Sequence, residues 1–146
     1  MSEDRNLLED AAFVAAVASA TYPGERFGHR EHLRLAWCCL REERGFDGGL
    51  RRVRALIQNY AAALGATGKY HETLTRAWME LVQVAMELTP EARSLEQLLE
   101  ANPHLLDAKL LARHYRKQTL DSAEARTAWV APDVTPLRSP AVLGAP

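Results

Sequence analysis

The sequence predicts one all-α domain. Apolar residues recur with helical spacing along most of the chain, and no segment alternates polar and apolar residues as a half-buried strand does. The 146 residues are enough for one hydrophobic core, and the balance of 47% apolar to 25% charged residues is that of a folded globular protein. We therefore expect a single helical domain over residues 1–130, built as a bundle of four main helices.

The first two helices are separated by a clear break. The first is predicted over about Asn6–Ala20, where small and branched apolar residues form one stripe. Pro23 and Gly24 interrupt the helical pattern. The second helix is predicted over about Gly28–Arg44, and the glycine that follows ends it.

The third and fourth helices have the strongest amphipathic pattern. The third begins near Asp47, a predicted N-cap, and ends at Gly65, a predicted C-terminal glycine. Its apolar residues step by three or four along one face, namely Leu50, Val53, Ile57, Tyr60 and Leu64. The fourth helix is predicted over about Lys69–Leu88.

The C-terminal third of the chain predicts shorter elements. A capping box at Ser94–Gln97 opens one short helix, Leu105–Tyr115 forms another, and a second capping box at Asp121–Glu124 opens a helix that ends near Val130. Residues 131–146 are rich in proline and do not form a helix. They form an extended strap across the domain or a loose tail.

Charge and composition restrict the classes of partner. The formal net charge is −1, so the chain lacks the basic excess that favours nucleic acids or anionic membranes. The longest apolar run, Ala11–Ala20, is too short to span a bilayer. Cys38 and Cys39 are adjacent in a helix and poorly placed for a disulfide, which favours a cytoplasmic protein with free thiols. We expect a small-molecule substrate, and the oligomeric state is left open.

Two similar segments carry an unusual density of reactive side chains. They are Phe27–Trp37 (FGHREHLRLAW) and Gly68–Trp78 (GKYHETLTRAW). Each places histidine in the predicted first turn of a helix and reaches tryptophan about two turns later. His29 and His32 lie about 60° apart around their helix, on its apolar side, and His71 also shares the apolar face of its helix.

Connectivity predicts that these histidines meet. Short loops join the second, third and fourth helices, which is typical of antiparallel neighbours. The starts of the second and fourth helices then lie at the same end of the bundle, together with His29, His32 and His71. The partial positive charge of a helix N-terminus and partial burial both disfavour imidazolium, so we expect largely neutral rings at pH 7. Glu31 and Glu72, also in first turns, could orient a ring.

Our leading interpretation is a small metal-dependent enzyme. His29, His32 and His71 would be the ligands of a divalent transition metal such as zinc, copper or iron, with one position open for substrate. Glu72 or Tyr70 would assist proton transfer. The spacing does not match the HExxH motif, so the argument is geometric. The alternative explanation is structural: the histidines satisfy helix termini and hold no metal.

Two further interpretations need no catalytic metal. In the first, His71, Glu72, Tyr70 and Tyr60 form an acid–base cluster for a lyase, isomerase or cyclase that acts on an apolar substrate. In the second, the protein is a non-catalytic module that binds a small molecule or a metal. In either case an apolar pocket would be lined by bulky and polar side chains from the same segments, namely Trp37, Trp78, Tyr60 and Thr75.

Other candidate sites are weaker. Gly65–Lys69 (GATGK) lacks the first glycine and the final Ser or Thr of a phosphate-binding loop, and it follows a helix instead of a strand. His104 and His114 are ten residues apart and lie in different directions. Asp133 would reach the histidine end only if the strap folds back.

The two histidine segments resemble those of a family of short bacterial all-helical proteins. The family pattern begins Phe-x-His-x-x-His-Leu, which Phe27–Leu33 matches, and continues with Tyr-His-Glu-Thr-x-Thr, which Tyr70–Thr75 matches. A third element, an Ala-Arg pair before Val-x-Pro-Asp and Pro-Leu, is matched within Ala125–Leu137. The resemblance implies that the C-terminal strap belongs to the domain, and it implies no particular activity.

Overall fold

A computed structural model describes residues 2–138, with side chains from Glu9 onward. Every regular element in this range is an α-helix or a 3₁₀-helix, and none is a strand, so the all-α fold class is confirmed. The part of the predicted strap beyond residue 138 lies outside the described residues. In the described range no helix is long and apolar enough to cross a membrane.

The four long helices come first in the chain. They are α1 (Ser2–Ala18), α2 (His29–Glu43), α3 (Phe46–Ala63) and α4 (Glu72–Leu88). The last three pack on one another, and α1 packs against α2 and α3. The core between them contains large, fully buried side chains, among them Val17, Leu33, Leu35, Trp37, Met79 and Val82.

Glycine sets both the spacing and the end of α3. A Cβ atom at Gly49 would lie 2.9 Å from the side chain of Leu40, so this glycine lets α2 and α3 approach closely. Gly65 has φ of +71°, the left-handed conformation expected for a glycine just after a helix.

Both cysteines are buried in α2, and burial raises the pKa of Cys38 to about 12 and that of Cys39 to about 11. Burial thus disfavours the thiolate, the reactive form, at both positions.

Two helix starts differ from the sequence prediction. The N-cap of α3 is Gly45, and Asp47 instead lies in the first turn, where its charge still favours the helix terminus. Helix α4 begins at Glu72 instead of Lys69, because Thr67–Lys69 forms a separate 3₁₀ turn. His71 is therefore the N-cap of α4, where its ring replaces the usual Ser or Asp side chain.

The C-terminal third consists of short elements. Helix α5 (Leu95–Ala101) is capped by Ser94 as predicted, since its hydroxyl accepts a hydrogen bond from Gln97 N. The helix predicted over 105–115 is instead two 3₁₀ turns, 103–106 and 110–113. Asp107 separates them by accepting the backbone N–H of Lys109. Helices α6 (Lys117–Leu120) and α7 (Ala123–Thr127) follow, and α7 is capped by Ser122 instead of Asp121.

The described part of the strap packs against the domain. Leu137 is buried in the core, and Arg138 makes a two-pronged ion pair with Glu87 at the end of α4. Asp133 accepts hydrogen bonds from Arg116 N and the Thr119 hydroxyl, so it caps the start of α6 and does not reach the histidines. The strap thus fixes α6, which in turn contacts α4.

Candidate functional site

A cavity of about 220 Å³ lies between the starts of α2 and α4 and the middle of α3. It contains all three histidines of the two similar segments. Apolar groups form most of its wall, and polar groups come from the loop before α4 and from the first turns of α2 and α4. Its lining residues are His29, His32, Ala36, Val53, Ile57, Lys69, Tyr70, His71, Leu74, Thr75, Trp78 and Met79.

His71 uses both ring nitrogens to hold backbone groups. Its Nδ1 accepts a hydrogen bond from Leu74 N at 3.0 Å, which is the N-cap bond of α4. Its Nε2 lies 2.7 Å from the carbonyl oxygen of Leu120, and because a carbonyl only accepts, Nε2 carries the proton. The ring is 8% exposed. The His71 ring thus has a structural role, since it links the start of α4 to the end of α6 through backbone hydrogen bonds.

His29 and His32 each use only one ring nitrogen. Nε2 of His29 donates to the carbonyl oxygen of Leu105 at 2.7 Å, and its ring meets the Trp78 ring edge-on, with centroids 4.5 Å apart. Nδ1 of His32 donates to the carbonyl oxygen of Gly28 at 3.0 Å. No described residue forms a hydrogen bond with His29 Nδ1 or His32 Nε2. Each ring therefore keeps one nitrogen with a free lone pair.

The environment of His32 favours the neutral ring. Desolvation is the largest influence and lowers its pKa, and the nearby His29 acts in the same direction. The hydrogen bond to Gly28 and the charge of Glu31 oppose this shift but do not cancel it. Phe27 packs edge-on against the ring with centroids 4.6 Å apart and covers one side of it, but His32 as a whole is an exposed residue, so its desolvation is only partial. His32 is therefore a neutral base with one open nitrogen at pH 7.

Glu72 points away from the cavity. Its carboxylate accepts two hydrogen bonds from Arg54, at 2.9 and 2.7 Å, and a third from the Tyr70 hydroxyl at 2.6 Å. Burial acts to raise the pKa of Glu72, but these hydrogen bonds outweigh it and hold the pKa below its ordinary value. Burial and the bond to Glu72 raise the pKa of Tyr70 to about 12. The predicted cluster of His71, Glu72 and Tyr70 is thus engaged in structural contacts.

The four predicted pocket residues separate into two pairs. Thr75 and Trp78 line the cavity, and the Thr75 hydroxyl donates to the His71 carbonyl. Trp37 lies on another face of α2, beneath the guanidinium of Arg41 and beside α1. Tyr60 packs against Phe27 and donates its hydroxyl to the Tyr22 carbonyl. Helical spacing indicated that these two side chains turn inward, but not which neighbour they meet.

The predicted three-histidine metal centre is not assembled in the described part of the chain. No group of three or more His, Cys, Asp or Glu side chains there is arranged to hold a metal ion. His71 could become a ligand only by releasing Leu74 N or the Leu120 carbonyl. His29 and His32 each retain one nitrogen that a metal could take.

Several groups that shape the site have no sequence motif. Carbonyl oxygens of Leu105 and Leu120 orient two histidines, and a main-chain acceptor leaves no trace in residue type. The Thr73 hydroxyl is completely buried; it donates to Ala128 O and accepts from Val130 N, which ties α4 to the segment after α7. Lys69 lines the cavity because it stands two residues before the N-cap histidine. Its closeness to His71 in the sequence is the signal that could have indicated that Lys69 lies near the histidines.

Comparisons with protein-family models, curated proteins and solved structures gave no significant match. The resemblance to short bacterial helical proteins stays a prediction. What the cavity does has to be inferred from its own residues.

Proposed function

We propose that the protein binds a small, mainly apolar carbonyl compound in the histidine cavity, and that His32, as the general base, takes a proton from a carbon next to the carbonyl while the C–H electron pair moves onto the carbonyl oxygen to form an enolate. This is an acid–base enzyme without a catalytic metal. The observation that carries the proposal is His32 itself: an imidazole at the rim of the cavity whose Nδ1 is held by Gly28 O and whose Nε2 has no hydrogen-bond partner among the described residues.

The fixed tautomer is what a general base requires. With Nδ1–H donated to a carbonyl, the lone pair of the ring lies on Nε2. A base works best when its pKa lies near the working pH, since it is then largely unprotonated before reaction and still accepts a proton readily. Hydrogen bonding of Nδ1–H to the Gly28 carbonyl also stabilises the imidazolium that forms after proton transfer. His32 thus plays the part that the sequence suggested for His71.

The size and lining of the cavity limit the ligand. A volume of about 220 Å³ is below the range of about 300–1,000 Å³ that is usual for ligand sites, so the ligand is small. The ligand would contact the flat indole ring of Trp78 on one side and the aliphatic side chains of Ile57 and Met79 on the other. Specificity would then come from the few polar groups at the rim, as in most small-molecule sites.

Binding can be tested with neutral fragments of the right size. Indole, p-cresol and cyclohexanone are added to labelled protein, and the Trp78 indole and His32 imidazole signals are followed by NMR. We expect saturable shifts of both signals in the wild type. Ala36→Leu places a larger side chain in the cavity and abolishes these shifts, whereas Ala62→Leu, on an exposed part of α3, leaves them unchanged.

Proton removal needs a separate measurement. Exchange of the α-hydrogens of cyclohexanone in D₂O is monitored with and without protein. We expect exchange faster than in buffer alone, and loss of this acceleration in His32→Gln. Binding without exchange would reduce the proposal to a non-catalytic binding module, and shifts that survive Ala36→Leu would place the fragments elsewhere.

A second candidate is a transition-metal site on α2 alone. His29 and His32 lie one turn apart and each has one uncommitted nitrogen, so a divalent zinc, copper or iron ion could take both and complete its coordination with substrate or water. Two histidines are fewer protein ligands than catalytic zinc sites use. This candidate is therefore second to the metal-free site.

A further inference from the structure

The polar groups of the cavity have few remaining hydrogen-bonding positions. The Tyr70 and Thr75 hydroxyls donate to Glu72 and to the His71 carbonyl, and the three imidazole N–H groups donate to carbonyl oxygens. For a ligand there remain two imidazole lone pairs, the Trp78 indole N–H, which has no hydrogen-bond partner among the described residues, and the ammonium group of Lys69. Lys69 is thus the one lining side chain in the described chain that offers a ligand charged N–H donors.

The charge of the lining is one-sided. Lys69 is cationic, and no Asp or Glu among the described residues lines the cavity, because Glu72 is turned outward to Arg54. The N-termini of two long helices, α2 and α4, also border the cavity and add partial positive charge. An anionic group would meet attraction from each of these sources and no carboxylate among the described lining residues; Glu31, whose charge reaches His32, is bound to Gly28 N.

The loop that carries Lys69 is held in place from outside the cavity. Arg126 of α7 donates to the carbonyl oxygen of Gly68 at 2.8 Å, directly beside Lys69. Tyr70, on the other side, is fixed by its bond to Glu72. These contacts fix the backbone on both sides of Lys69. The flexible lysine side chain therefore extends from a defined position at the rim of the cavity.

We propose that the natural ligand of the histidine cavity is a small carboxylate with an apolar body, whose carboxylate is bound by Lys69. The apolar body lies along Trp78 and Ile57. A C–H beside a second, ketone-type carbonyl group of the ligand then faces the open nitrogens of His29 and His32; His32 takes the proton, and the electron pair moves onto that carbonyl oxygen. This inference rests on the proposed function and adds the chemical class of the ligand.

The test compares two probes of equal shape and different charge. Phenylacetate and phenylacetamide are titrated separately into the protein at low ionic strength and pH 7, and binding is followed on the Trp78 indole signal. We expect phenylacetate to bind at least about tenfold more tightly, the size of effect that one charge-assisted hydrogen bond produces. Lys69→Met should reduce the ratio to less than about threefold by weakening only phenylacetate. Lys109→Met removes an exposed lysine elsewhere and should leave the ratio unchanged.

Each other outcome has one meaning. Equal binding of the two probes to the wild type overturns the carboxylate inference and leaves the proposed apolar site standing. A charge preference that persists in Lys69→Met overturns the assignment to Lys69. If neither probe shifts the Trp78 signal, both the inference and the proposed function fail. An unchanged far-UV circular dichroism spectrum shows that each variant is folded.

Discussion

The starts of α2 and α4 have similar sequences and different roles. Both place histidine near a helix N-terminus and tryptophan about two turns later. In α4 the histidine is itself the N-cap, and both of its nitrogens hold backbone groups. In α2 the N-cap is Gly28, so His29 and His32 lie inside the first turn and each keeps one nitrogen free.

The position relative to the helix start, the N-cap for His71 and the first and fourth helical residues for His29 and His32, therefore separates a structural histidine from chemically available ones. An imidazole at the N-cap can accept from the N–H three residues later, which uses the nitrogen that would otherwise bind a ligand or a proton. Inside the first turn that acceptor role is lost, and the ring is oriented by a single carbonyl. The comparison can be tested by variants on both sides.

The largest expected difference is in stability. His71→Ala removes the cap of α4 and leaves the Leu120 carbonyl without its donor, so we expect a loss of about 2–4 kcal/mol in the free energy of unfolding. His32→Ala removes one backbone hydrogen bond from a partly exposed ring and should reduce it by about 1 kcal/mol or less. Urea denaturation measures both.

His71→Asn serves as the control for this pair. Asparagine caps a helix well but cannot reach Leu120 as imidazole does, so its stability should lie between wild type and His71→Ala. Equal losses for His71→Ala and His32→Ala would contradict the distinction between the two helix starts.

The next largest difference is expected between the contributions that the ion pairs beside the two helix starts make to the free energy of unfolding. Glu72 is 13% exposed and bound twice by Arg54, whereas the Glu96–Arg30 pair beside α2 is 62% and 48% exposed. We expect Glu72→Gln to lower the free energy of unfolding by about 1 kcal/mol and Glu96→Gln by less than about 0.5 kcal/mol at pH 7.

Acid should remove the Glu72 contribution. Its pKa is lowered on folding, so the carboxylate contributes full stability above its unfolded pKa, and the contribution disappears as pH falls through the lower folded pKa. The difference between wild type and Glu72→Gln should therefore shrink below about pH 4.5. A difference that stays constant down to pH 3 would show that the ion pair is not its source.

A smaller pH effect is expected from His32. Because its pKa is lowered on folding, the unfolded chain binds the proton first, and stability decreases as pH falls below the ordinary histidine value of about 6.5. His32→Gln should be less sensitive to acid over this interval than the wild type. Thermal unfolding at pH 7.5 and pH 5.5 measures the change. An identical pH dependence in both proteins would argue against a desolvated His32.

The smallest difference is expected in the response to added zinc, which should not depend on His71. We expect the melting temperatures of wild type and His71→Ala to respond equally to zinc, since His71 is committed to backbone groups. Untagged protein and elemental analysis, with His29→Ala as a second variant, complete the test. Zinc that stabilises the wild type and fails to stabilise either variant would restore the three-histidine centre.

Much of the secondary structure follows from local sequence. Helical periodicity and glycine positions predict α1 to α4 to within a few residues, and Ser94 predicts the start of α5 because capping depends on neighbouring residues alone. The 3₁₀ turns at 103–106 and 110–113 were not predicted. Their apolar residues have helical spacing, and only the Asp107 contact to Lys109 N interrupts the helix.

The features of the site divide in the same way, into those that follow from local sequence and those that depend on tertiary packing. The sequence by itself determined which two helix starts carry the imidazoles that line the cavity, because side-chain direction follows from helical geometry and short loops restrict topology. Only the tertiary structure decided which nitrogens stay free. That choice depends on the carbonyls of Leu105, Leu120 and Gly28, two of them more than 45 residues away along the chain. A backbone carbonyl is the same group in every residue, so packing alone can select it as a partner.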